Sequence, residues 1–168
     1  MISVKSLERR EIDANLVESI VALDVANMTE FFARLGLEVP VARRRSAFEH
    51  PGTVVVAMDE AGSLAGYLEY GPGWDSRGET YVSSIQIAEE HQKGPLLLRL
   101  LRHAFATCDL PAGQAVGADV QESNPKAMRL LERLGFHLDD GPARRGTRGA
   151  WMRWQPRSSP TRNASAGT

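Results

Sequence analysis

The stretch from Asn124 to Phe136 leaves few choices for the chain around it. Pro125 suits the first turn of a helix, where its missing N–H would have no partner, and Asn124 before it can cap the free backbone N–H groups. Ala127, Leu130, Leu131 and Leu134 recur at i, i+3, i+4 and i+7, while Lys126, Arg129, Glu132 and Arg133 fall off that stripe. One face of this helix therefore packs on a sheet. Gly135 follows where a left-handed residue ends a helix, and Phe136 opens the next apolar segment.

The length suits one domain, read here as residues 1–155, because domains hold roughly 100 to 200 residues. Residues 156–168 offer almost nothing to bury and read as a disordered tail. A hydrophobic content of 42% with 24% charged residues belongs to a soluble globular chain, with no apolar run long enough for a membrane span. The first ten residues lack the pattern of a secretory signal, so the expected location is the cytoplasm. Cys108 is the sole cysteine and cannot form an intramolecular disulfide. A net charge of −1 gives no broad field for nucleic acid, which is not expected as a partner. His50, His91, His103 and His137 are scattered without metal-ligand spacing, so no metal is expected.

Ile2 to Leu7 alternates weakly and predicts a first strand. Asp13 caps a helix with Leu16, Ile20 and Leu23 on its apolar side. A second helical pattern, Met28, Phe31, Phe32 and Leu35, stops at Gly36. Two helices are thus expected after the first strand. Arg43-Arg44-Arg45 reads as a solvated face. Thr53 to Met58, Ser63 to Tyr70 and Glu79 to Ala88 form an antiparallel three-strand meander. Strict alternation along the third puts Tyr81, Ser83, Ile85 and Ile87 on one face and Val82, Ser84 and Gln86 on the other. The loop from Gly71 to Gly78, carrying Trp74 and Asp75, is of the kind that borders ligand sites.

Glu89 to Gly94 leads into Pro95 at a helix start, with Leu97, Leu100, Leu101, Ala104, Phe105 and Cys108 as the stripe. Such a junction aims free N–H groups and a positive dipole end at whatever lies in front, and phosphate is the natural ligand. Gly94 alone supplies backbone freedom in that loop. Gln114 to Val120 is a strand feeding the helix at Asn124, Phe136 to Leu138 another, and Gly149 to Trp154 the last. Arg144, Arg145 and Arg148 flank Gly146 in the loop before it, which reads as a solvated basic loop.

The order strand, two helices, three antiparallel strands, helix, strand, helix, strand resembles the GNAT superfamily of acetyl-CoA-dependent N-acetyltransferases. Asn124, Ala127, Leu130, Gly135 and Phe136 resemble that family's closing motif. Ile85-Gln86-Ile87 followed by Glu90-His91-Gln92 resembles its fourth strand and the start of its pyrophosphate loop. The resemblance covers most of Tyr81 to Phe136. It implies an α+β fold: a central, mostly antiparallel mixed sheet of about six to seven strands flanked by about four helices.

The resemblance also implies acetyl-CoA as co-substrate, no metal, direct attack by a primary amine of a small molecule, peptide or protein, and a homodimer as a common assembly. The implied cofactor-binding residues are Ile85, Gln86, Ile87, Gln92, Lys93, Gly94, Pro95, Leu96, Leu97, Asn124, Ala127 and Leu131. The fourth-strand position that carries the general base in some relatives holds Tyr81, with Glu79 on the same face two residues earlier. The competing reading makes Tyr81 an interface aromatic and Glu79 a solvated edge residue. Glu69, Trp74 and Asp75 are candidates for the substrate side. Trp74 equally suits an anchor for its own loop.

Two departures stand out. The family's loop has glycine at its fourth position and glycine or alanine at its sixth, and counting from Gln92 these are Pro95 and Leu97. Leu131 takes the place of a tyrosine that many relatives use to protonate the leaving thiolate. The alternative to an active enzyme is a non-catalytic or weakly active acyl-CoA-binding or regulatory module of the same fold.

Overall fold

The computed structural model describes residues 1–72, 80–108, 113–138 and 147–153. Trp74, Asp75, Glu79, Arg144, Arg145 and the tail 156–168 lie outside the described residues.

Among the described residues the strands are β1 (Ser3–Glu8), β2 (Thr53–Met58), β3 (Leu64–Pro72), β4 (Thr80–Ile87), β5 (Ala115–Gln121), β6 (His137–Leu138) and β7 (Thr147–Arg153). The helices are α1 (Ala14–Arg34), α2 (Val41–Ser46), α3 (Leu96–Thr107) and α4 (Pro125–Arg133). The strands form one seven-stranded sheet in the order β1-β2-β3-β4-β5-β7-β6. All neighbours are antiparallel except β4 and β5. That is the expected α+β architecture.

Alternation divides the sheet into two covered faces. Val55, Ala57, Leu68 and Ile87 pack under α3 with Leu96, Leu100, Leu101 and Ala104. Val54, Val56 and Tyr67 pack under α1 and the residues after α2, through Ile20 and Phe48. Beneath α4, Val116, Ala118 and Val120 of β5 meet Leu131 and Phe136. No helix among the described residues is long and apolar enough to cross a membrane.

The two helical patterns expected before residue 36 are one continuous helix. Asp13 caps it, accepting from the Leu16 N–H at 2.9 Å, and Gly36 at φ 69° follows its end. Nothing in Asp24 to Asn27 breaks a helix, because Asp24 is turned inward and partnered there. The second helix is the short α2, built on the arginine run. That run is not a uniform solvated face. Arg43 and Arg45 are exposed, but Arg44 is folded inward with 16% of its side chain accessible.

The strict alternation expected along β4 also fails. Glu69 pairs with Ser84 and Tyr70 with Val82, so Ser83 is an extra residue in β4. This bulge returns Val82 to the α3 face with Ile85 and Ile87. Ser83 and Ser84 both turn to the α1 face, where their hydroxyls find partners.

Candidate active site

β4 and β5 part company inside the sheet. Their parallel pairing covers Thr80–Val116, Tyr81–Gly117 and Val82–Ala118 and then stops. On the outer sides, β4 stays paired with β3 as far as Ile87, and β5 with β7 as far as Gln121. The chain from Ser83 to Ile87 therefore has a ladder on one side and a gap on the other.

Which backbone groups face that gap follows from alternation. The Ala88 N–H donates to the Ala65 carbonyl at 3.0 Å, toward β3. Ile87 and Ile85 consequently direct their backbone groups away from β3, into the gap. The Ile87 carbonyl accepts from Asn27 Nδ2 at 3.0 Å and from Gln92 Nε2 at 3.2 Å. Asn27 also donates to Gln86 Oε1 at 3.0 Å, while Gln121 Nε2 at the end of β5 donates to Met28 Sδ at 3.3 Å. Adjacent residues of α1 thus reach the two separated strand ends.

Beyond β4 the chain makes a tight turn, with the Gly94 N–H on the His91 carbonyl at 3.1 Å, and enters α3. Pro95 is the N-cap rather than the first helical residue, and it offers no side-chain acceptor. The first-turn N–H groups of Leu96, Leu97 and Leu98 have no acceptor within the helix. They form an uncapped positive end beside the gap. Gly94 keeps a negative φ, so the freedom expected of it is not used. Leu97 packs against the core under α3, which takes its side chain away from that end. Lys93, Gln92 and Gly94 are exposed.

Asn124 caps α4, accepting from the Ala127 N–H at 3.0 Å, and Gly135 at φ 97° follows the helix. Leu131 is 9% exposed and belongs to the core beneath α4.

On the α1 side of the gap, the Tyr81 ring lies across Gly117. A Cβ at Gly117 would come within 3.2 Å of Tyr81 Cδ2. Because Val116, Ala118 and Val120 face α4, alternation places Gly117, Asp119 and Gln121 on the α1 side. Asp119 stands one residue beyond the last β4–β5 pair. The sequence reading passed over it, although period-two alternation from Val116 to Val120 was the available signal.

On the same face, over β3 and the bulge of β4, lies a buried polar cluster that sequence reasoning also missed. Arg44 donates from Nε to Asp24 and from Nη2 to Glu69, and stacks over the Phe48 ring at 4.8 Å. Tyr67 donates to Asp24. Its single proton is thereby used, so the Ser84 hydroxyl, 2.9 Å away, donates to the phenol oxygen. Arg9 Nη2 donates to Glu69 Oε2 at 3.1 Å and to Ser83 Oγ at 2.9 Å. Glu69, expected on the substrate side, is 1% exposed with each oxygen taken by an arginine. It reaches the exposed surface through Ser83.

Two carboxylates face two guanidiniums, so the cluster is close to neutral. Burial opposes charge on Arg44, but Glu69, then Tyr67 and Asp24, outweigh it and push the guanidinium further up. Burial lifts the Asp24 carboxyl against the pull of Arg44. Burial, and then Asp24, raise the Tyr67 phenol well above its ordinary value. Among the described residues, no group of three His, Cys, Asp or Glu is placed to hold a metal.

Comparison with known proteins bears on the same elements. Residues 17–136 match the model of the acetyltransferase (GNAT) family. Among curated proteins none matches the sequence. An acetyltransferase from Thermus thermophilus is 20% identical with a TM-score of 0.64, over 92% of this chain and 97% of that one. The ribosomal-protein-S18-alanine N-acetyltransferase from Escherichia coli is 17% identical with a TM-score of 0.66, over 91% and 94%. An acyl-CoA N-acyltransferase from Pseudomonas aeruginosa is 12% identical with a TM-score of 0.68, over 90% and 99%. At these identities the solved structures share the fold. The family model spans α1 through α4, the parted strands included, and on that match the chain belongs to the acetyltransferase (GNAT) family.

Proposed function

We propose that the chain is an acetyl-CoA-dependent N-acetyltransferase that moves an acetyl group to a primary amine of a small molecule, peptide or protein by direct attack. One observation carries the reading: β4 and β5 separate after Val82–Ala118, leaving Ile85 and Ile87 backbone groups facing a gap. Residues 1–155 are taken as the transferase domain.

Acetyl-CoA supplies a thioester whose carbonyl carbon the amine attacks and whose carbon–sulfur bond breaks. The uncapped N–H groups of Leu96, Leu97 and Leu98 suit its pyrophosphate without any side-chain charge. The Ile85 N–H suits the pantetheine arm or the thioester oxygen, whose negative charge grows during attack. Asp119 carries a carboxylate on the opposite side of the opening, where it attracts a protonated amine and takes one proton from it, which frees the lone pair that attacks. The nitrogen releases its second proton to water as the C–N bond forms and the thiolate leaves. Tyr81, beside it on the α1 side, is placed to contact the acceptor. Leu131 supplies no hydroxyl, so the departing thiolate takes its proton from another group or from water.

The test is amine-dependent thiol release from acetyl-CoA across a panel of small primary amines and peptide N-termini. Turnover with at least one of them supports the reading. Acetyl-CoA binding without turnover on any amine favours the non-catalytic module.

A further inference from the structure

The segment from Ser83 to Ile87 has lost the β5 ladder on one side, and a bulge normally bends and loosens a strand. Side chains hold it at both ends instead. At the far end the Ile87 carbonyl is held by Asn27 and Gln92. At the bulge, Ser84 Oγ is bound to the Tyr67 hydroxyl at 2.9 Å and Ser83 Oγ to Arg9 at 2.9 Å. Tyr67 and Arg9 are in turn fixed by Asp24, Arg44 and Glu69. Tyr67 is fully buried, so it touches no substrate.

We propose that Tyr67 and Arg9 are positioning residues for acyl transfer, clamping the two bulge serines so that the Ile85 backbone is held at a fixed angle to the gap. The proposal rests on the reading of that gap as the acyl-CoA site. Arg9 also needs the bare backbone of Gly52, where a Cβ would lie 2.9 Å from its guanidinium carbon. Loss of the Ser84 bond frees the first residue after the bulge. A displacement of the order of 1 Å at the next amide is enough to cost about a hundredfold in rate when reacting groups must be aligned.

The experiment compares Ser84→Ala, Tyr67→Phe, the double variant and Ser84→Thr with the wild type. Two readouts are taken: amide hydrogen exchange along β4, and kcat and KM for the acetyl donor. Exchange at the Gln86 amide, which by alternation bonds to β3 just past the bulge, is expected to rise about tenfold or more in Ser84→Ala and Tyr67→Phe, as in local opening. Exchange at Val55, in the middle of β2, stays unchanged. kcat falls about tenfold or more with KM unchanged, the double variant is no worse than either single, and Ser84→Thr recovers both readouts. Unchanged exchange at Gln86, a wild-type kcat in Ser84→Ala, or losses that multiply in the double variant overturn the proposal. If the wild type releases no thiol with any amine, it is the transferase reading that fails, and the exchange readout alone decides the clamp.

Discussion

Arg44 donates to Glu69, tying the short helix α2 to the interior of β3. The same guanidinium holds Asp24 of α1, so three elements distant in sequence meet at one side chain. Removing one member of a buried pair leaves an uncompensated charge and costs about 3–5 kcal/mol. Arg44→Met is therefore expected to lower the chemical-denaturation free energy by about that amount. Its neighbour Arg45 binds the exposed Glu18, and Arg45→Met should leave the denaturation midpoint unchanged. Equal losses from the two would contradict the assignment of Arg44 as the buried partner.

Tyr67 gives the fold a signature in alkali. Burial, and then the Asp24 carboxylate, hold its phenol well above the ordinary 10.0. The folded protein keeps this proton where the unfolded chain has released it. Its contribution to stability is whole below that ordinary value and shrinks as pH rises past it toward the folded value. Denaturation midpoints measured from neutral into alkaline pH should fall more steeply in the wild type than in Tyr67→Phe. Parallel curves would refute the shift.

Asp119 is the carboxylate nearest in sequence to the point where β4 and β5 separate on the α1 side. If it accepts the amine proton, Asp119→Asn should reduce kcat/KM by about 10²–10⁴, the usual worth of a positioned base. Acetyl-CoA affinity should hold. A variant that keeps its rate would move the role to another group, with Tyr81 and Glu79 as the next candidates.

Much of the fold was legible because it is written locally. The Asn124 cap, the Pro125 start, the α4 stripe and the Gly135 stop all concern residues within one helix, and each has its expected structure. The strands were legible from β-branched runs between turn residues. What escaped depends on distant partners. Arg44 looked like one of three solvated arginines, since its burial requires Asp24, Tyr67 and Glu69 together. The β4 bulge was invisible because an alternating pattern read past Ser83 gives no sign of one extra residue. The division of α1 into two helices came from reading the patterns Leu16 to Leu23 and Met28 to Leu35 as separate, when one helix runs through both with Asp24 buried and partnered within it.

Leu131 shows the other side of the same lesson. Its departure from the family's tyrosine was visible in sequence, and the structure puts it in the core with Phe136. Leu131→Tyr inserts a larger side chain there and should cost about 1–3 kcal/mol in stability. If a missing hydroxyl limits thiolate protonation, turnover should rise despite that loss. An unchanged rate would show that another group handles the proton.

The central claim is that the parted strands and the uncapped start of α3 form one acyl-CoA site. Its most direct measurement is a titration of the isotopically labelled protein with acetyl-CoA, followed by backbone amide resonances. The account predicts saturable shifts concentrated at Ile85, Ile87 and Leu96 to Leu98. Absence of any shift at millimolar acetyl-CoA, or shifts confined to other parts of the chain, would contradict it.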